Sequence, residues 1–499
     1  MARLKILMAA SEAAPFFRSG GLGDVMGALP EALAAAGHEV KVFLPRYGSL
    51  DVRHYRPRTV IDPFVITGGT QRETATLEKV EWGQLSAEYY LVGNREYFDR
   101  PAFYLDPKTG ADYVDNHLRF AFFSRAVLES ARRLNWRPDV VHVHDWQAAL
   151  IPLLLKNGVA GDRFFESAAS VVTIHNLGYQ GLFDSKIFPE LGLPDALFYA
   201  ATGPLEFFGK VNYLKAGIVS ADKITTVSER YAEEIRTSDE LGCGLKGVLA
   251  HRTADLIGIL NGADYSVWSP SRDKLIPYRY NLSNLSGKRM SRVELVREAG
   301  LPLRDKVPVI GFIGRLTGQK GIDLIVDAVE RLLALNVQLM VLGAGEEVYA
   351  RELETLQSQY PDKFRFCHGF DDALAHRMQA GADILLMPSR YEPCGLNQMY
   401  ALRYGTVPVV RAVGGLADTV ADYNLQTGAG TGFVFSEYKP QALIAAVERA
   451  VELFHRRQKW TKLMKAGMRQ DFSWGRSATR YIEVFESTKV SQPATTSRF

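Results

Sequence analysis

Short apolar runs separated by helix-length segments recur along this chain, and the series runs twice. That rhythm restricts the fold more than any other feature. The first series opens with Lys5–Ala10 and continues through Val40, Val42 and Leu44, which alternate up to Pro45. It goes on with Val140–His144, Ser170–His175, Lys223–Val227 and Leu256–Leu260. The second series is Val307–Gly314, Val337–Leu342, Phe364–His368, Ala382–Met387 and Val407–Val410. Helical signals fill the gaps: Val25, Leu29 and Leu33 share one face, and Gly37 stops that helix. Strand and helix signals in alternation build a parallel sheet with helices on both faces.

A restarted series predicts two such sheets, and 499 residues are too many for one small core. The expected class is α/β, with two doubly wound, Rossmann-like domains facing each other across a cleft. Residues 1–262 form the first and 263–473 the second. Asp264–Ser286, rich in Ser, Pro, Asn and Tyr without a sustained period, is the loop or linker between the series. Residues 474–499 supply a last helix that packs back on the first domain, with Tyr481, Val484 and Phe485 on one face, then a frayed polar tail from Ser491.

Composition excludes several classes. A formal net charge of +3 leaves no electrostatic footprint for nucleic acid. The three cysteines, Cys243, Cys367 and Cys394, form no CxxC pair, as expected of a chain in a reducing cytoplasm. Met1–Ala10 is too short an apolar stretch for a signal peptide and is a first buried strand instead. No run approaches the roughly 20 apolar residues that span a bilayer. The sequons at Asn281 and Asn284 are chance occurrences in such a chain.

In doubly wound sheets ligands bind beyond the carboxyl ends of the strands, so the loops after each run carry the chemistry. The first such loop is Arg18-Ser19-Gly20-Gly21-Leu22-Gly23-Asp24. It is either a tight strand–helix turn or an anion cradle, in which glycines admit close approach and a helix N-terminus offers N–H groups. It is a poor dinucleotide fingerprint, because Met26 stands where a third glycine is wanted. Gly314-Arg315-Leu316-Thr317-Gly318-Gln319-Lys320-Gly321 has the same placement in the second series. Its two cations suit a diphosphate on which charge develops, the alternative being a solvated surface loop.

Ser389-Arg390-Tyr391-Glu392-Pro393-Cys394-Gly395-Leu396-Asn397-Gln398 follows another run and leads into a helix from about Leu396. There the Glu392 carboxylate is a site residue or a helix cap. His144-Asp145-Trp146-Gln147 and His175-Asn176-Leu177-Gly178-Tyr179-Gln180-Gly181 combine an indole with amide and carboxylate groups. Proteins hold sugars with such residues. His142 and His144 share a strand face, but no third ligand stands out to complete a metal site, and the chain contains no Asp-x-Asp.

These motifs, together with Thr225-Thr226-Val227-Ser228, Leu260-Asn261-Gly262 and Gly414-Gly415-Leu416, closely resemble the bacterial glycogen synthases and plant starch synthases over nearly the whole length. The resemblance implies the two-domain glycosyltransferase-B fold and retention of the α-anomer. It implies ADP-glucose as donor, glycogen or a malto-oligosaccharide as acceptor, and neither metal nor cofactor. It places Arg315 and Lys320 on the diphosphate, and Glu392 on the donor glucose with the backbone of Cys394 and Gly395. The same nucleotide-sugar side takes in Leu396 and Asn397. His175 would contact the glucose, Asp145 would organise the donor and acceptor, and Trp146 would offer a stacking surface. Asn176, Tyr179 and Gln180 join the acceptor side. Arg18, Gly20, Gly21, Asp24 and Asn261 would touch the nucleotide sugar or hold its loop.

Two places depart from what relatives carry, and the second is Asn397, where some relatives have Thr and others share the Asn. Arg18-Ser19 replaces the usual Lys-Thr or Lys-Val, and arginine is planar and wider than lysine. Tyr400 stands where many retaining transferases carry a second glutamate, as it does in the glycogen and starch synthases. The resemblance also implies a front-side displacement under domain closure. The competing expectations are a retaining transferase that uses UDP-glucose and a non-catalytic glucan-binding relative.

Overall fold

The computed structural model describes residues 3–68, 72–83, 85–157, 163–200 and 202–491. The chain forms two compact units. One comprises Met1–Val227, Ala232–Gly262 and Trp474–Phe499, and the other Ser228–Tyr231 and Ala263–Ser473.

The first unit is built on a nine-stranded sheet. From one edge its strands are Leu256–Gly258, Lys223–Thr226, Ala169–Ile174, Val140–His144, Lys5–Ala9, Glu39–Pro45 and Glu88–Gly93, all parallel. Glu73–Val80 and Pro57–Ile66 complete the far edge as antiparallel strands. That edge departs from the parallel sheet expected. Pro57–Ile66 buries only Phe64 and Ile66, so it carries no apolar run to announce it. The central strands are covered on both faces and therefore read as continuous apolar runs.

The helix Gly21–Ala35 packs Val25, Leu29 and Leu33 inward. It ends at Gly37, whose φ of +97° a side chain would resist. Pro30 sits inside this helix and cannot donate to the Met26 carbonyl, which accepts the Tyr89 hydroxyl at 3.3 Å instead. The last helix, Trp474–Ser491, packs on Gly21–Ala35 and on the strand Ala169–Ile174 with Tyr481, Val484 and Phe485 buried. Trp474 lies against Gly262, where any Cβ would collide with the indole. Ser491 closes that helix, and the rest of the expected frayed tail, residues 492–499, lies outside the described residues.

The second unit holds a six-stranded parallel sheet. Its order is Phe364–His368, Gln338–Gly343, Val309–Ile313, Ile384–Met387, Val407–Arg411, Phe433–Phe435. Numbered along the chain this is 3-2-1-4-5-6, the doubly wound order, with its reversal between Val309–Ile313 and Ile384–Met387. The Asp264–Ser286 stretch contains no helix or strand before Ser286, yet it is no free linker. Asp273 accepts from His376 Nδ1 at 2.7 Å and from the Tyr404 hydroxyl at 2.5 Å. Trp268 stacks on His376 and on Tyr400, with ring centroids 3.6 and 4.1 Å away. Asn281 and Asn284 spend their carbonyl oxygens on turns, accepting from Ser283, Asn284 and Ser286.

Candidate active site

The reversal points of the two sheets gather most of the residues singled out from the sequence. In the second unit, the loop after Ile313 carries Arg315 and Lys320, and the loop after Met387 carries Glu392. Lys320 Nζ donates to both carboxylate oxygens of Glu392, at 2.8 and 2.6 Å. Ser389 Oγ adds a third bond to Glu392 at 3.0 Å. The Glu392 side chain is only 6% exposed, so this carboxylate is held by a cation and a hydroxyl in a largely dry setting. It caps no helix: Asn397–Tyr404 begins beyond it with Leu396 as N-cap and no side-chain cap bond.

Arg315 is exposed and touches Gln319 at 3.2 Å. An ammonium has three N–H groups, and Glu392 engages Lys320 through its two oxygens. One N–H of Lys320 and the guanidinium fork of Arg315 are thereby left for an anion.

Backbone shape fixes the glutamate loop. Gly395 has φ +72° and Gly414 φ +42°. A Cβ on Gly414 would collide with the Glu392 carbonyl, and one on Gly415 with the Cys394 carbonyl. Gly415 N–H donates to the Glu392 carbonyl at 3.1 Å. The Gly414-Gly415-Leu416 motif is thus the bed on which Glu392–Cys394 lies. Asn397 Nδ2 donates to the Ile313 carbonyl at 2.9 Å and ties this loop to the strand leading to Arg315. That tie takes one of the two N–H groups on its amide nitrogen. Ser228 Oγ donates to the Pro393 carbonyl at 2.6 Å from the short segment belonging to this unit.

In the first unit, the reversal lies between Lys5–Ala9 and Val140–His144. The glycine loop after the first strand is anchored by Glu12, whose Oε1 accepts the Ser19 hydroxyl at 2.7 Å and the Tyr104 hydroxyl at 2.5 Å. Arg18 Nε pairs with Asp24 Oδ1 at 2.8 Å, so the two hold each other. A Cβ on Gly20 or Gly21 would meet nothing within 4 Å, so internal packing does not demand glycine there.

Asp145, directly after the strand Val140–His144, adopts φ +55°, unusual for a side-chain-bearing residue and frequent at functional sites. Its Oδ1 accepts the His175 backbone N–H at 2.7 Å. Burial, reinforced by Glu12, raises its carboxyl to about 7 despite that bond. His144 Nδ1 and His175 Nε2 lie 3.0 Å apart. Burial holds His175 down to about 3 and depresses His144 as well, so both imidazoles are neutral at neutral pH. A third imidazole therefore does stand near His142 and His144. Even so, among the described residues no group of three His, Cys, Asp or Glu is arranged to hold a metal ion.

Two residues expected to contact sugar are packed inside the first unit. Trp146 is only 8% exposed, and its rings pack against Phe120, Phe183 and Tyr213. Gly181 lies against its indole face, so the expected stacking surface is closed. Gln180 is buried, donating to the Leu177 and Cys243 carbonyls and accepting from Asn212 Nδ2 at 2.6 Å. Both of its amide N–H groups and one lone pair of its oxygen are therefore engaged inside the first unit. Tyr179 is 55% exposed, and Asn176 is partly buried with Oδ1 accepting the Gly178 N–H. Asn261 is buried, and its Oδ1 has no hydrogen-bond partner among the described residues.

Sequence reasoning quoted Ser389 without giving it a role, and passed over Glu12 and the pairing of His144 with His175. The last needs the strand register that pairs His144 with Thr173, which no spacing along the chain announces.

Two family models cover most of the chain: the starch synthase catalytic domain matches residues 5–251, and glycosyl transferases group 1 matches 297–466. The glycogen synthase of Koribacter versatilis is 46% identical over 97% of this chain and 98% of its own length. That of an Anaeromyxobacter species is 47% identical over 97% of this chain and 99% of its own. Among solved structures, the catalytic domain of starch synthase IV from Arabidopsis thaliana, bound to ADP and acarbose, aligns with a TM-score of 0.88 at 32% identity. That alignment covers 98% of this chain and all of the plant domain, so the fold is that of the GT-B glycosyltransferases. Identity at this level over nearly the full length, with both family models matched in order, establishes that the chain belongs to the glycogen and starch synthase family of glycosyltransferases.

Proposed function

We propose that this enzyme transfers glucose from ADP-glucose to the non-reducing end of an α-1,4-glucan with retention of configuration, elongating glycogen without a metal or cofactor. The observation that carries the assignment is the Lys320–Glu392–Ser389 cluster beside exposed Arg315 at the reversal of the second sheet. A departing nucleoside diphosphate needs cations already in place, and Glu392 holds the Lys320 ammonium before any substrate arrives. The C1–O bond to the diphosphate breaks as the bond from C1 to the acceptor 4-oxygen forms on the same face. The hydroxyl proton passes to a phosphate oxygen, so no separate base is needed. His175, kept neutral, offers a hydrogen bond to glucose rather than a charge that would compete for the diphosphate.

The clear space in front of Gly20 and Gly21 supports approach of a ligand to the first loop. Full-length likeness to named glycogen synthases, and to a starch synthase bound to ADP, supports the donor and acceptor. Nucleotide release from ADP-glucose, measured with and without glycogen beside UDP-glucose, tests the proposal. ADP release that depends on glycogen is the expected result. Release from UDP-glucose alone would reassign the donor, and no release from any sugar donor would leave only glucan binding.

A further inference from the structure

His144 lies behind His175 and is wholly buried. Its Nδ1 is 3.0 Å from His175 Nε2, and its own Nε2 is buried with no hydrogen-bond partner among the described residues. Two neutral imidazoles this close share one proton across the gap, which leaves two arrangements. If His175 donates from Nε2, His144 must accept at Nδ1 and carry its proton on Nε2, as a buried N–H with nothing to receive it. If His144 donates from Nδ1, the buried Nε2 is only a lone pair. Orphaned buried N–H groups are rarer and costlier than unused acceptors, so the second arrangement is favoured.

The adjoining His142 obeys the same rule. Its Nδ1 is also buried without a partner, while Nε2 lies 2.6 Å from Thr173 Oγ1, which in turn lies 2.6 Å from Thr225 Oγ1. Donation from His142 Nε2 through Thr173 to Thr225 again leaves only a lone pair unused.

We propose that His144 is a positioning residue that donates from Nδ1 to His175 Nε2 and so fixes His175 as the Nδ1–H tautomer, with that N–H as the donor to a sugar hydroxyl. Consecutive residues thereby hold His175 twice: Asp145 through the backbone N–H at 2.7 Å, and His144 through the ring. Burial keeps both rings neutral, so the tautomer persists across the neutral range. The sugar contact rests on the glucosyl-transfer assignment above, whereas the tautomer does not.

The test uses the full-length protein with 15N-labelled histidine and long-range proton–nitrogen correlation spectra. His144 is expected as Nδ1–H, His175 as Nδ1–H and His142 as Nε2–H. A proton on His175 Nε2 in the wild type would overturn the proposal, whether or not the enzyme transfers glucose. Kinetics supply the second arm. His144→Asn keeps an amide N–H near the old Nδ1 position, and His144→Leu removes it. Loss of one such hydrogen bond predicts that His144→Leu lowers kcat about 10-fold relative to His144→Asn, with little change in donor KM. Equal kcat values for the two folded variants would refute the positioning role.

Discussion

The two reversal points hold opposite kinds of chemistry. In the second unit, charge is assembled: Lys320, Glu392 and exposed Arg315 stand on loops whose glycines fit against carbonyls. In the first unit, Arg18 and Asp24 pair on the glycine loop, but around the end of Val140–His144 burial suppresses charge: His142 and His175 are held down to about 3, and Asp145 is raised to about 7. One surrounding suits a group that departs as an anion, and the other suits a neutral sugar that must be oriented by hydrogen bonds. The same doubly wound topology supports both, because the residues just past the strands differ while the strands do not.

The contrast breaks most visibly at Lys320. Lys320→Ala removes a cation from the leaving-group side and is expected to lower kcat by about 100- to 1,000-fold. It also leaves the buried Glu392 carboxylate without its counter-charge, at a cost of about 3–5 kcal/mol of stability. Steady-state kinetics and denaturant unfolding check the two halves. Gly414→Ala acts on the same loop without touching a charge. A Cβ there must push the Glu392 carbonyl aside from a backbone at φ +42°, so a loss of about 2–3 kcal/mol and a lower kcat are expected.

The first unit should respond in the opposite sense. Asp145 is raised from 3.8 to about 7 by burial, so the folded state keeps its proton where the unfolded chain has lost it. That group lowers stability progressively as pH rises from about 4 to about 7, and the penalty is then constant. Asp145→Asn preserves the acceptor for the His175 N–H and tolerates the left-handed backbone. It should therefore be more stable than the wild type at pH 8, by a margin that fades towards pH 4, while activity falls. Melting temperatures across that range decide it, and a flat difference would contradict the sign. The smallest effect belongs to Trp146→Phe, which should cost about 1–2 kcal/mol of packing and leave the acceptor KM unchanged.

Much of this division was legible in the sequence, and the exceptions have separate causes. Val140–His144 became a strand with the expected bounds because it is buried along its whole length and reads as a largely apolar run, and the edge strand Phe364–His368 did so because Phe364 and Phe366 alternate inward. Lys320 and Glu392 were singled out separately, yet nothing in their separation along the chain shows that they pair. That needs the strands Val309–Ile313 and Ile384–Met387 to be neighbours in the sheet. The burial of Trp146 and Gln180 was not legible, because an indole and an amide serve a core as readily as a sugar, and the packing on Phe120, Phe183, Asn212 and Gly181 shows only in three dimensions. The edge strands Pro57–Ile66 and Glu73–Val80 escaped because a half-exposed antiparallel edge lacks the apolar run that marked the others.

Arg315 offers the most direct test that charge in the second unit drives departure of the nucleotide. Its side chain is exposed and contacts Gln319, so Arg315→Ala should leave the melting temperature unchanged. Nucleotide release from saturating ADP-glucose and glycogen should nevertheless fall by about 100- to 1,000-fold, equivalent to about 3–4 kcal/mol of lost transition-state stabilisation. Wild-type turnover in the folded Arg315→Ala variant would contradict the account.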